Sequence, residues 1–331
     1  MIISRTPFRV SFFGGGTDYN QWFEDKKGAV LATTIDKYCY ISCRYLPPFF
    51  EYKSRISYSK VENVKSLAEI QHPSAREVLR FLKIKEGIEI HHDGDLPARA
   101  GLGSSSAFTV GLLNTLYALK GVMLTKERLA KEAIYVEQKL CKENVGCQDQ
   151  VLAAYGGLNF IEFGGSNHLH VHKVTVSEEK IRLLQSHLMM YFTGFSRMAS
   201  KIAAHQIANI PKKQKELSAM YQMVKRANEI LNGNRITEFG KLLHESWKLK
   251  RSLSDKITTP FINELYETAQ RAGAIGGKIL GAGGGGFLLI FAEPSKQKKI
   301  RERLKKFLEI PFKFENLGSQ IIFYQPDSGK V

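Results

Sequence analysis

Glycines and then serines cluster at the end of the first third of the chain, in Gly101, Leu102, Gly103, Ser104, Ser105 and Ser106, and an apolar run follows. Glycines let a backbone approach an anion closely, and the start of a helix offers amide groups and a favourable dipole. Hydroxyls at the same point reach phosphate oxygens or a magnesium ion. The chemistry this suits is phosphate cradling. It is not the common nucleotide loop, which requires Gly-x-x-x-x-Gly-Lys-Ser/Thr, and no such lysine is present. A helix cap of small residues is the plainer alternative, but three serines and two glycines exceed what a cap requires.

Two acids extend this pattern. Glu137 shares the apolar side of a helix expected over residues 126–141 with Ala133, Ile134 and Leu140. A carboxylate there is costly unless paired or bound to metal, although a small rotation would put it at the edge of that face. Asp149 stands just ahead of the apolar residues 151–154, where it either complements a helix N-terminus or acts as a base. Two more glycine runs matter. Gly14, Gly15 and Gly16 lead into Thr17, Asp18 and Tyr19, after a strand that carries Arg9. A tight turn alone explains those glycines, but Asp18 beside one also suits vicinal sugar hydroxyls. Residues 281–286, with Gly283 and Gly284, fit the dinucleotide pattern GxGxxG. A strand rather than a helix is expected after them, so a loop needing close backbone contact is the better reading.

The elements that must position these residues read as α+β. Strands are expected at 8–13, 29–43, 88–92, 158–163, 286–292 and 320–324 from their β-branched and aromatic content. Helices are expected at 108–119, 126–141 with Thr125 as cap, 180–186, 201–208, 213–231, 237–249, 260–271 and in a basic stretch over 296–308. Strands and helices do not alternate regularly, which argues against a parallel α/β sheet. A boundary near residue 174 divides the chain into domains 1–174 and 175–331.

The chain has 331 residues, 43% of them hydrophobic and 24% charged, which suits two globular domains. Its 48 Lys+Arg against 32 Asp+Glu give a net charge of +16. Such a field favours anionic partners: nucleic acid, a membrane surface, nucleotides or sugar phosphates. No nucleic-acid motif accompanies the charge, and the basic residues of 296–306 read as the solvated face of an amphipathic helix. Cys39, Cys43, Cys141 and Cys147 form no CxxC pair and read as buried thiols in a reducing compartment. His168, His170 and His172 alternate, so a strand would place them on one face; a solvated face is the plainer reading and a metal site the sharper one. There is no signal-peptide pattern and no run of membrane-spanning length, so a cytoplasmic protein with no membrane or nucleic-acid partner is expected.

Taken together, the segments 5–19, 97–107, 148–157 and 276–287 resemble the GHMP kinases, the superfamily of galactokinase, homoserine kinase and mevalonate kinase. The likeness spans nearly the whole chain, and three ordered motifs plus an aspartate make it specific. It implies an N-terminal mixed β/α domain and a C-terminal ferredoxin-like α/β plait. RTPFRVSFFGGGTDY, YFTGFSR and ESWKLKRSLS look most like the branch acting on a phosphorylated heptose. Galactokinases carry Glu-His where this chain has Gly15-Gly16, and homoserine kinases lack the aspartate found here at 149.

The resemblance implies that Gly101, Leu102, Gly103, Ser104, Ser105 and Ser106 wrap the phosphates of ATP, with magnesium (Mg2+) held by Ser105 and Glu137. Asp149 would be the base and Arg9 a cation near the attacking oxygen. Gly16, Thr17, Asp18, Gly283 and Gly284 would face the sugar. Its phosphate would need a basic pocket, with Arg197, Lys250, Arg251 and Lys278 as candidates. Many relatives have alanine at the position of Ser106, a departure from the family pattern to which no chemistry is attached. The expected partners are ATP and a sugar or sugar phosphate, with a homodimer left open. The expected reaction turns D-glycero-D-manno-heptose 7-phosphate into the 1,7-bisphosphate. Another acceptor (fucose, galactose or an isoprenoid precursor), a sugar sensor without turnover, and a basic nucleic-acid-binding protein are the rivals.

Overall fold

A computed structural model describes residues 1–47, 49–85, 87–98, 100–165, 169–194 and 199–326. The first part of the chain forms strands β1 (Ile2–Phe13), β2 (Gly28–Tyr45), β3 (Ser54–Ser57), β4 (Val61–Val64), β5 (Ile88–Gly94), β6 (Asn159–Phe163) and β7 (Leu169–Lys173). The remainder forms β8 (Leu188–Gly194), β9 (Gly276–Ile279), β10 (Gly286–Phe291), β11 (Leu308–Glu309), β12 (Phe314–Glu315) and β13 (Gln320–Tyr324).

The long β2 is the spine of a nine-stranded sheet of order β13-β1-β2-β5-β3-β4. Its 18 residues reach several partners in succession: 28–32 pair with β6, 39–45 with β5, and most of its length with β1. Helix Ser104–Leu119 packs on β1 and β2 and is covered in turn by helices Pro73–Phe81, Lys126–Tyr135 and Gln148–Tyr155. It is apolar on nearly every side because it is enclosed on nearly every side.

The helix expected over 126–141 begins as the sequence suggests, with Thr125 Oγ accepting from the Arg128 amide at 3.2 Å. It changes pitch before it ends. From Val136 to Leu140 it is a π turn, closed by Cys141 N–H donating to Val136 O across five residues at 2.8 Å. Such widened turns re-aim side chains and recur at functional sites. Here the turn carries Glu137.

The second sheet has the order β11-β8-β10-β9 and is antiparallel throughout. Strand, helices, strand, strand, helix and strand follow one another along the chain, which is the βαββαβ order of the ferredoxin-like plait. Helix Ile236–Ser252 sits directly on β9. A Cβ on Gly276 would lie 1.9 Å from Gly240 O, so this close approach depends on the absence of a side chain at 276.

The expected division at residue 174 falls between the last strand of the first sheet's opening run and the first strand of the second. The segment 175–331 is nevertheless not closed on itself. β12 pairs with β2 and β13 with β1, so the end of the chain returns to the first sheet and covers an edge that would otherwise be bare. The basic helix also ends early. It spans Pro294–Arg303, and Leu308, expected on its apolar stripe, begins β11 and is exposed. Cys39, Cys43 and Cys147 are buried, whereas Cys141 is only half-buried. Among the described residues no helix is long and apolar enough to cross a membrane.

Candidate active site

Strand β1 delivers Arg9 to the serine loop. Its Nε and Nη2 donate to the two oxygens of Asp149, both at 2.7 Å, in a fork-to-fork pair. Its Nη1 donates to Gly101 O at 2.6 Å, and its backbone N–H to Leu102 O at 3.0 Å. One residue therefore joins the loop to the carboxylate. Gly103 completes the junction: it has φ +74° immediately before the helix, and a Cβ there would lie 3.1 Å from Arg9 Cγ and 3.4 Å from Asp149 Oδ2. The first intrahelical bond runs from Ala107 N–H to Gly103 O. The serine amides thus form the helix's N-terminal end, where anions are favoured. Arg9 is buried, whereas the Asp149 side chain remains 24% exposed.

Glu137 stands on the other side of the loop and is fully buried. Its Oε2 accepts from Ser106 Oγ at 2.8 Å and from the Gln150 side-chain amide. Oε1 makes no hydrogen bond of ordinary geometry among the described residues. Burial pushes the carboxyl up to about 7, against the opposing pull of Thr109, Ser106 and Gln150, and Glu143 adds to the rise. The expectation of an inward-facing acid agrees with this geometry. Ser106, expected in the phosphate loop, has its hydroxyl bonded to Glu137. The side chain of Ser105 is exposed at the helix start, and its carbonyl accepts from Thr109 Oγ1 at 3.2 Å. Nothing in the sequence singled out Gln150, except that it follows Asp149 and shares its helix.

The third glycine run closes against the first. A Cβ on Gly281 would lie 2.5 Å from Gly101 Cα, and one on Gly286 would lie 2.2 Å from Ala100 O. Gly284 N–H donates to Ile257 O at 2.9 Å, and Gly283 packs on the same residue. Both glycines expected to face a sugar thus hold their loop to the neighbouring one.

The remaining expectations for the sugar site need correction. Both oxygens of Asp18 accept from backbone amides, Gly16 N–H at 2.9 Å and Gln148 N–H at 3.4 Å, and the residue is only 2% exposed. Burial raises its pKa, opposed by those two amides. In this structure Asp18 fixes the segment that carries Asp149, rather than lying open to hydroxyls. Thr17 is likewise buried, its Oγ1 2.9 Å from both Gly14 O and Ala29 O. Gly16 does line a cavity, with Tyr19, Gln206, Lys213 and Leu253, but at about 10 Å³ it has space for little more than a water.

Of the four basic candidates, Lys278 is buried and donates to Phe12 O at 2.9 Å, and Lys250 is buried and donates to Gly281 O. Arg251 bonds Asn263 Oδ1 at 3.1 Å with its guanidinium 5.7 Å from the Trp247 ring centre. Arg197 lies outside the described residues. No open pocket of surface cations is formed by the other three. His170 and His172 share a face of β7, His172 lying 3.3 Å from Glu162, and His168 is outside the described residues. No three metal-ligating side chains converge among the described residues. A larger cavity of about 340 Å³, lined by Phe160, Glu162, His172 and Asn228 among others, lies beside this strand and away from Asp149.

Amides at a helix start beside a clasped, half-open carboxylate suit the transfer of a phosphoryl group to a hydroxyl. The sequence defines the class: residues 70–157 match the GHMP kinases N terminal domain and residues 220–310 the GHMP kinases C terminal region. The chain belongs to the GHMP kinases, phosphotransferases with an alcohol acceptor. Among its relatives, D-glycero-alpha-D-manno-heptose 7-phosphate kinase of Campylobacter jejuni is 29% identical over 319 residues, covering 92% of this chain and 93% of that protein. The bifunctional fucokinase/GDP-fucose pyrophosphorylase of Arabidopsis thaliana is 26% identical over 94% of this chain but only 32% of its own length. In fold, the chain is similar to a D-glycero-D-manno-heptose 1-phosphate kinase from Bacteroides thetaiotaomicron, with a TM-score of 0.77 at 22% identity over 97% of this chain and 98% of that one.

Proposed function

We propose that this protein is an ATP-dependent sugar kinase whose acceptor is the anomeric hydroxyl of D-glycero-D-manno-heptose 7-phosphate, giving the 1,7-bisphosphate. The observation that carries this reading is the Arg9–Asp149 pair held against Gly103 at the start of the serine helix. Asp149 accepts the proton of the attacking hydroxyl, and Arg9 beside it favours the ionised oxygen. An anomeric hydroxyl is more acidic than an ordinary alcohol, which lightens the task of the base. The loop 101–106 and the helix N-terminus receive the triphosphate. The likeness to a heptose 7-phosphate kinase over nearly the whole chain supports the choice of acceptor.

Magnesium fits the residues present. Glu137 has a buried oxygen with no hydrogen bond of ordinary geometry, and burial raises the cost of its charge, which a hard cation would offset. Glu137 and the hydroxyl of Ser105 would hold it, with Ser106 and Gln150 orienting the carboxylate. When bound, magnesium neutralises charge on the phosphates.

The test is ATP-dependent phosphorylation of a panel containing the heptose 7-phosphate, the heptose 1-phosphate, free heptose, fucose and galactose, with the product's phosphate position read by NMR. A 1,7-bisphosphate from the 7-phosphate is the expected outcome. Turnover confined to a free sugar refutes the acceptor assignment, and no turnover with any hydroxyl compound refutes the kinase reading of the site.

A further inference from the structure

The buried lysine at the end of helix Ile236–Ser252 has no explanation in the proposed chemistry. Lys250 extends from the second domain to the junction of the two glycine loops, where its ammonium donates to Gly281 O. Among the described residues that carbonyl is its one hydrogen-bond partner, and Lys250 makes no ion pair there. A fully buried ammonium with so little compensation is costly, and an apolar side chain of similar length would fill the space more cheaply. A packing role alone does not call for a charge.

The contacts around it run in one direction. Gly281 touches Gly101 backbone to backbone, Gly101 O accepts from Arg9, and Arg9 clasps Asp149. The helix that carries Lys250 is itself fixed on β9 by the Gly240–Gly276 contact. The charges facing the ammonium come from every side of the junction: Arg9 on β1, Asp18 in the turn after β1, Asp149 on the helix Gln148–Tyr155, and Lys278 on β9. We propose that Lys250 is a positioning residue for phosphoryl transfer, its charged amine holding the 281–286 loop against the 101–103 loop so that Arg9 and Asp149 stay aligned on the acceptor. The inference rests on the assignment of Asp149 and Arg9 made above.

The charge has a pH limit. Burial first, then the neighbouring Arg9, lowers the amine to about 8, while Asp18 and Asp149 act to raise it. The amine is therefore charged below that pH and loses its proton as pH rises through it. Alignment that depends on the charge weakens over the same interval.

The experiment compares the intact enzyme with Lys250→Met and Lys250→Arg, using ATP and D-glycero-D-manno-heptose 7-phosphate, with Asp149→Asn in parallel. Measured are kcat, KM for ATP, Tm, and the pH profile of kcat. Lys250→Met is expected to lower kcat about ten- to hundredfold, the scale of a misaligned reacting pair, with Tm unchanged or raised. Wild-type kcat is expected to decline as pH passes about 8, and that decline is expected to be absent in Lys250→Met. Lys250→Arg, which keeps a charge that does not titrate there, is expected to recover at least tenfold over Met and to show no decline near 8. A Met variant within twofold of wild-type kcat, or one that keeps the wild-type decline, overturns the inference. Full activity in Asp149→Asn is a separate result: it overturns the base assignment on which this inference stands.

Discussion

Replacing Gly103 by alanine perturbs the loop at a residue that lies against both members of the Arg9–Asp149 pair. Two costs arise and the structure separates them. The first is conformational: φ at Gly103 is +74°, a region that costs a residue with a Cβ about 1–2 kcal/mol. The second is crowding, because the new methyl lies 3.1 Å from Arg9 Cγ and 3.4 Å from Asp149 Oδ2. Those groups must retreat by a few tenths of an ångström. If a shift of 1 Å costs about a hundredfold in rate, this one costs about three- to tenfold. Gly121, at the far end of the same helix, supplies the control. Its φ is +72° and nothing lies within 4 Å of a Cβ there, so Gly121→Ala incurs the first cost alone. Both variants are expected to lose about 2–4 °C in Tm per kcal/mol of strain. Only Gly103→Ala is expected to lose kcat, measured with saturating ATP and acceptor on protein checked for folding. Equal kcat in the two variants would refute the claim that this glycine's role is to make room for the catalytic pair.

Two further outcomes follow from the carboxylates. Asp149→Asn keeps the shape of the side chain and removes its basicity, so kcat is expected to fall by about 10²–10⁴ while KM for ATP changes little; turnover within threefold of wild type rules out Asp149 as the base. For Glu137, the folded-state value of about 7 lies above the unfolded value near 4.5. Its contribution to stability is then fully present below about 4.5 and is lost as pH rises to about 7, by at most about 3 kcal/mol. In magnesium-free buffer, Tm of the wild type is expected to fall between pH 5 and pH 8 by more than that of Glu137→Gln, and added magnesium is expected to narrow the gap. Parallel Tm curves for the two proteins would show that Glu137 is not the strained buried acid described here.

The position of the loop at a helix start was legible in the sequence, because glycines and serines ahead of a long apolar run mark a helix N-terminus. Placement of Glu137 on the enclosed side of its helix followed from spacing alone, even though that helix switches to a π turn at the residue before it. The four basic candidates were less legible. Sequence shows that a lysine is present but not whether its amine faces solvent, and Lys250 and Lys278 are buried because close glycine contacts draw the second domain onto β1 and the loops. Asp18 was misread for a related reason: a turn aspartate is as suited to backbone amides as to hydroxyls, and the two amides that claim it include one from residue 148. Gln150 was missed, and the bond of Ser106 to Glu137 was not foreseen, because both join the loop and its neighbouring helices through side chains that spacing along one helix does not reveal. Among the elements, the short strands β3, β4, β9, β11 and β12 left no periodic signal, since two to four residues are too few to alternate convincingly.

The return of β13 to β1 has a bearing on how the molecule is made. Strand β1, which carries Arg9, is flanked on one side by residues synthesised some three hundred positions later, and Thr6 shares a 2.8 Å hydrogen bond with Ser319. The ribosome must therefore release nearly the whole polypeptide before that border is sealed. A fragment cut at residue 174 would carry an open, strongly pairing border into solution, and clumping through it is the expected fate.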